Sequence, residues 1–230
     1  MCGRNTLIKN IKILSEEFHI DLSDIENFNP SYNIAPTHKA PILLKNNKER
    51  IVKNMRWGLI PSWAKDLSIG SNMINARSES LLDKTSYQNL INQNRCIIFS
   101  DGYYEWKNTN GNKQPYYITS PDKKTLAMAG LWTEWQSNNN EIIYSFTIIT
   151  TKAQSNLSMI HNRMPVILEE NNIEKWISCK ENSVSSAQKL LLVTNIDLDH
   201  YRVSSFVNSV KNNTQKCIEK IIPSETINIF

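Results

Sequence analysis

A cysteine directly follows the initiator methionine in Met1-Cys2-Gly3-Arg4, and it is the residue of this chain with the most unusual chemistry open to it. Its small side chain favours removal of Met1, which leaves Cys2 as the mature N-terminus. The α-amine and the thiol then sit on adjacent carbons and can add to the same carbonyl carbon. The amine condenses with an aldehyde to an imine, and the thiol closes on that imine to a five-membered thiazolidine. An α-amine titrates at about 7.7–8.0, against about 10.4 for lysine and about 8.5 for a free thiol. At neutral pH a useful fraction of it is therefore uncharged and nucleophilic. The plain alternative is a small residue at a frayed terminus, since chain ends are commonly poorly ordered.

The other thiols suggest no such chemistry. Cys96, Cys179 and Cys217 are widely scattered, no C-x-x-C pair occurs, and none of the 4 histidines stands at zinc-ligand spacing to a cysteine. The expectation is core or surface thiols, with no metal and no cofactor. The 230 residues suffice for a sizeable core. At 40% hydrophobic and 21% charged residues the composition is ordinary globular material, and the formal net charge of +4 is compatible with a polyanionic partner without being diagnostic. No apolar run reaches membrane-spanning length. The first ten residues lack a signal-type apolar core, so the expected location is the cytoplasm.

The elements that must position Cys2 follow from periodicity. Ile11, Leu14, Phe18 and Ile20 fall at roughly helical spacing, with His19 on the solvated side. A polar stretch through Asn29-Pro30 leads into Ser31 to Pro36, which the two prolines mark as a loop. Residues 41–44 and 49–55 read as strands joined by a turn at 45–48. The aromatic loop Arg56 to Ala64 is expected to bury Trp57 and leave Trp63 nearer the surface. Ser78 is a candidate cap for a helix running into the eighties. Residues 95–100 read as a strand. Tyr103 to Lys107, the turn Asn110-Gly111 and residues 114–119 read as a hairpin. Residues 125–132 and 142–151 are long apolar strands, 153–160 a short helix and 166–168 a strand. Helices are expected near 173–177 and 183–192, and 202–209 and 216–222 close the chain. Strands in the middle with helices toward the ends predict an α+β fold around a curved, largely antiparallel sheet, forming one domain over 1–230.

Motifs at separate places along the chain together resemble the SOS response-associated peptidase (SRAP) family of abasic-site-processing proteins. They are Met1-Cys2-Gly3-Arg4, Tyr32-Asn33-Ile34-Ala35-Pro36, Trp57-Gly58-Leu59-Ile60-Pro61, Ile74-Asn75-Ala76-Arg77, Asp101-Gly102-Tyr103-Tyr104-Glu105-Trp106 and His161-Asn162-Arg163-Met164-Pro165. A weaker block follows at Val203-Ser204, Val207-Asn208 and Asn212. Two departures are Asn5, where relatives often carry an aromatic residue or threonine, and Trp63-Ala64, where some carry tandem tryptophans. The resemblance implies a barrel-like sheet, a basic groove for single-stranded DNA, and a covalent link between mature Cys2 and the aldehyde of a ring-opened abasic site. It assigns Cys2 as nucleophile and Asn75, Glu105 and His161 as its catalytic partners. Arg4 and Arg77 match positions expected to hold phosphates. Arg163 is a candidate either for a further phosphate contact or, equally, for pairing with a carboxylate, and Trp63 or Trp57 is a candidate for stacking on a base. The implied partner is single-stranded DNA containing abasic sites, bound by a monomer that joins the nucleoid when on DNA.

These assignments make chemical sense. An abasic sugar is mostly a closed hemiacetal, so its opening needs a proton donor and a base, and histidine titrates close enough to neutrality to serve as either. A glutamate lining an aromatic pocket has its pKa raised toward acid–base duty. An asparagine amide can hold the amine, the carbonyl oxygen or the sugar in register. Taken singly, each residue has a plainer role: a satisfied structural histidine, a solvent-facing glutamate, a turn-forming asparagine. Two other functions compete with this reading. One is an N-terminal-nucleophile hydrolase, in which the thiol attacks an amide and the amine serves as base; such a peptidase could also remove Met1 by itself. The other is a non-catalytic single-strand-binding module.

Overall fold

The structure, a computed structural model, describes residues 2–20, 29–47, 49–192 and 196–222. Met1, the polar stretch at 21–28 and Lys48 of the expected turn lie outside the described residues. The architecture is the expected α+β arrangement, and the curved sheet closes on itself. Strands β3 (Lys39–Asn46), β4 (Glu49–Trp57), β6 (Arg95–Ser100), β9 (Leu126–Gln136) and β10 (Ile142–Lys152) form a ring: β4 pairs β3, β3 pairs β6, β6 pairs β9, β9 pairs β10, and β10 returns to β4. All these pairings are antiparallel except β10–β4, which is parallel and seals the barrel. Ile42, Ile98, Met128, Phe146 and Ile148 are fully buried. Gly130 is required here, because a Cβ at that position would lie 2.2 Å from Ile98 Cδ1 and 2.7 Å from the Thr147 carbonyl.

Against the barrel stands a 5-stranded sheet in the order β13 (Asp199–Arg202), β8 (Asn112–Thr119), β7 (Gly102–Thr109), β1 (Asn5–Leu7) and β2 (Ser31–Ile34). The β7–β8 hairpin turns at Asn110 and Gly111, both with positive φ (51° and 88°), the backbone that an Asn-Gly pair favours. Strands β5 (Asn75–Arg77), β11 (Arg163–Pro165) and β12 (Ile167–Leu168) extend the barrel's edges, β5 and β11 both pairing with β10.

Helix α1 (Ile11–Phe18) starts at Asn10, whose side chain accepts from the Ile13 amide, and ends at His19, which is exposed with φ 51°. Helix α5 (Glu170–Ile177) buries Ile173, Trp176 and Ile177. Buried Arg95 gathers the carbonyls that end this helix and its surroundings, donating to Trp176, Ile91, Ser178 and Asn182.

Several expectations need correction. The terminal residues 5–7 and the proline-flanked 31–34 are strands rather than a frayed end and a loop, because β1 finds partners on both sides, β2 and β7. Residues 75–77 form a short strand on β10. No helix is capped by Ser78. A 3-10 turn at Ser78–Ser80 is followed by two single-turn helices, α2 (Thr85–Gln88) and α3 (Leu90–Gln93), that bury only Tyr87 and Ile91. The helix expected over 153–160 is the single turn α4 (Ser155–Ser158), and that over 183–192 is α6 (Val184–Lys189).

Candidate active site

The N-terminal segment runs beside β7, tied by the Tyr104 amide donating to the Arg4 carbonyl at 3.0 Å. The Asp101 carboxylate fixes the far end of β1, accepting from the Ile8 and Lys9 amides. Cys2 is thereby carried into the protein, where it is fully buried. Its carbonyl accepts a 2.7 Å hydrogen bond from Asn75 Nδ2 on β5. Because Cys2 lies just ahead of β1 and Glu105 is on β7 of the five-stranded sheet while Asn75 is on the barrel edge, this bond crosses the junction between the two.

His161 reaches the same junction from the other side. It leaves α4 with its amide donating to the Leu157 carbonyl at 3.1 Å, and β11 begins two residues later. The Arg163 amide donates to His161 Nδ1 at 3.0 Å, and the same nitrogen lies 3.3 Å from the Arg163 carbonyl oxygen, so the Arg163 backbone orients the ring. His161 Nδ1 and Glu105 Oε1 are 4.0 Å apart, an ion pair when the imidazole is protonated. Glu105 is 3% exposed. Burial is the main influence on its carboxyl and raises it above the ordinary range. The Cys2 thiol is pushed well up, by burial first and then by the Glu105 charge. The structure therefore brings Cys2, Asn75, Glu105 and His161 together from four separate stretches. The buried thiol is held neutral, and the buried carboxyl beside it is poised to take up a proton.

Comparison with known proteins bears on what such a junction belongs to. The sequence model described as SOS response associated peptidase (SRAP) matches residues 1–210. The chain belongs to the SRAP family. Among its relatives, the abasic site processing protein YoqW of Bacillus subtilis (strain 168) is 40% identical over 222 residues, covering 95% of this chain and 99% of that protein. The abasic site processing protein HMCES of Gallus gallus is 36% identical, covering 86% of this chain and 69% of that one. A crystal structure of a Bacteroides thetaiotaomicron protein superposes with a TM-score of 0.84 at 28% identity, covering 96% of this chain and all of that one.

The basic and aromatic residues of this SRAP chain sort into two groups. Arg77 is exposed on β5, and its side chain has no partner among the described residues. Trp63 is 60% exposed, whereas Trp57 is fully buried with its Nε1 donating to the Ile74 carbonyl. Arg4 and Arg163 are engaged within the protein. Arg4 donates to Asn33 Oδ1 and to the Val207 and Asn208 carbonyls. Those three bonds leave two of a guanidinium's five N–H groups for another ligand. Arg163 forms a two-pronged pair with Glu79 at 2.5 and 3.0 Å and also donates to the Thr150 carbonyl.

Sequence reasoning gave Asn33 no role. It is buried, accepts from Arg4, and donates to the Val207, Ser209 and Asn212 carbonyls. The weak C-terminal block at 203–212 thus supplies carbonyls that hold Arg4 and β2, and Asn208 Oδ1 accepts from Trp106 Nε1. Its sequence signal was the asparagine spacing in that block, which reads as surface polarity until the partners are seen.

Proposed function

We propose that this protein processes abasic sites in single-stranded DNA, its mature Cys2 forming a thiazolidine with the lesion's aldehyde. The observation that carries the reading is the convergence of Asn75, Glu105 and His161 on a buried residue 2, joined to the kinship with proteins named for abasic site processing. His161 and Glu105 open the hemiacetal, one giving a proton to the ring oxygen while the other takes the hydroxyl proton. The free amine then attacks the aldehyde and water leaves. A thiol held neutral by burial and by Glu105 is a poor first nucleophile, which favours amine first and sulfur second. Closure adds S–H across the C=N bond, with carbon–sulfur bond formation and the proton ending on nitrogen. The ring removes the electron sink that an imine offers to β-elimination, so the strand is shielded rather than cut. Arg77 and the two remaining N–H groups of Arg4 hold phosphates, and Trp63 stacks on a base beside the lesion. Arg163 supports the site through Glu79 and Thr150. The protein acts as a monomer in the cytoplasm, joining the nucleoid when on DNA; no helix among the described residues is long and apolar enough to cross a membrane.

The family's description as a peptidase favours a second reading, in which the Cys2 thiol cleaves an amide or Met1 is removed by the chain itself. The products distinguish the two. On a denaturing gel, abasic but not intact single-stranded DNA should shift a fraction of the protein to a covalent adduct. A hydrolase would give no adduct and would turn over a peptide instead.

A further inference from the structure

The buried side of β7 carries one more polar group than the proposed reaction uses. Alternation along the strand puts Tyr103 and Glu105 on the same side. Tyr104 and Trp106 face the other way and pack with Tyr32, Val203, Val207 and Cys217. Tyr103 instead shares the main core with Cys2 and is fully buried, and its hydroxyl has no hydrogen-bond partner among the described residues.

Its neighbours behave differently. The Tyr104 hydroxyl donates to the Tyr32 carbonyl at 2.7 Å, and the Tyr117 hydroxyl meets Thr6 Oγ1 at 2.8 Å. A buried hydroxyl left unpaired destabilises the fold, a cost that a phenylalanine would avoid. Other unmet hydrogen-bonding capacity lies close by. Asn75 Oδ1 has no partner although its Nδ2 holds Cys2, and Asn5, directly across the ladder from Tyr103, is buried with both amide atoms unpartnered. Burial is the main influence holding the Tyr103 phenol protonated, and the charges of Cys2 and Glu105 add to it, so both groups stand within electrostatic reach of the ring. The hydroxyl is thus a protonated, unpartnered donor in the same core as Cys2, on the same side of β7 as Glu105.

We propose that the Tyr103 hydroxyl serves the second bond-forming step, donating a hydrogen bond to the Cys2 sulfur as it closes on the imine carbon. This inference rests on the thiazolidine reading. In the step, the thiol proton passes to the Glu105 carboxylate and the carbon–sulfur bond forms. The C=N electron pair moves to nitrogen, and nitrogen takes the proton back. Tyr103 keeps its own proton throughout, steadying the negative charge that develops on sulfur.

The test compares Tyr103→Phe with the wild-type chain, both lacking Met1, on a single-stranded oligodeoxynucleotide carrying one abasic site. Borohydride trapping reports the imine; adduct that survives denaturation without borohydride reports closure. Loss of the hydroxyl should leave imine formation within about twofold and slow closure about tenfold, the effect of one hydrogen bond on a rate. The pH profile of closure should shift while that of imine formation stays in place. The melting temperature should be unchanged or raised, because no folded partner is lost. Equal closure rates and profiles in the two proteins would overturn the assignment, as would equal slowing of both steps or a lowered melting temperature. If the wild-type protein itself gave no adduct, the thiazolidine reading would fail first and Tyr103's role with it.

Discussion

At the scale of single residues, the account turns on how a terminal cysteine is held. Among the described residues, the one side-chain bond to its backbone comes from Asn75 Nδ2. Asn75→Ala removes that bond at a partly buried place, a loss of about 1 kcal/mol of positioning. Adduct formation should fall by roughly five- to tenfold, read as the initial rate on an abasic oligonucleotide, with single-strand affinity unaltered. Glu105 gives a pH-dependent expectation. Its folded pKa is raised, by burial above all, so the stability it contributes is complete below the ordinary glutamate value of 4.5 and is lost as pH rises through the raised value. Glu105→Gln has no such titration. Its melting temperature relative to wild type should therefore climb as pH increases from about 4 to 7, while adduct formation falls. A constant difference across that range would show that the carboxyl is not destabilised by burial.

At the scale of elements, the site depends on how closely β7 and β8 approach. Gly102 opens β7 where a Cβ would lie 2.4 Å from Tyr117 Cζ and 2.5 Å from its hydroxyl. Gly102→Ala should displace Tyr117 from Thr6 and destabilise the fold by about 1–3 kcal/mol, seen as a lower denaturation midpoint with an unchanged slope. How legible such elements are depends on their length. The β7–β8 hairpin and the long barrel strands could be read because they carry sustained alternation or an Asn-Gly turn. Strands β1, β2 and β5 span only three or four residues each, too few for a period, and exist because longer strands offer them edges. The 78–93 segment lacks an apolar stripe long enough for one helix and breaks into single turns. In the site, the motif blocks singled out Cys2, Asn75, Glu105 and His161. They could not show that Arg4 would be held by carbonyls more than two hundred positions away, or that Tyr103 would lie in the main core with Cys2 rather than in the cluster around Tyr104. Those facts follow from which side of a strand faces which sheet, and the pairing partners decide that.

At the scale of the whole molecule, two sheets meet, and Cys2 lies buried at their junction with its proposed partners divided across the seam. Trp63 and Arg77 are exposed outside it and are the proposed stacking face and phosphate contact. Trp63→Ala should weaken binding to intact and abasic single strands alike, by about 1–3 kcal/mol, with little change in melting temperature. Arg77→Gln should lessen the salt dependence of binding by about 0.7 in the log–log slope. A titration of intact strands by fluorescence anisotropy at several salt concentrations checks both. The central claim is that the amine and sulfur of residue 2 together capture an aldehyde, and intact-mass spectrometry tests it most directly. Protein lacking Met1, incubated with an abasic single-stranded oligonucleotide, should gain the mass of the oligonucleotide less one water and keep it through denaturation. Cys2→Ala should gain no such stable mass. An unmodified wild-type protein, or an equally stable adduct on Cys2→Ala, would contradict the account.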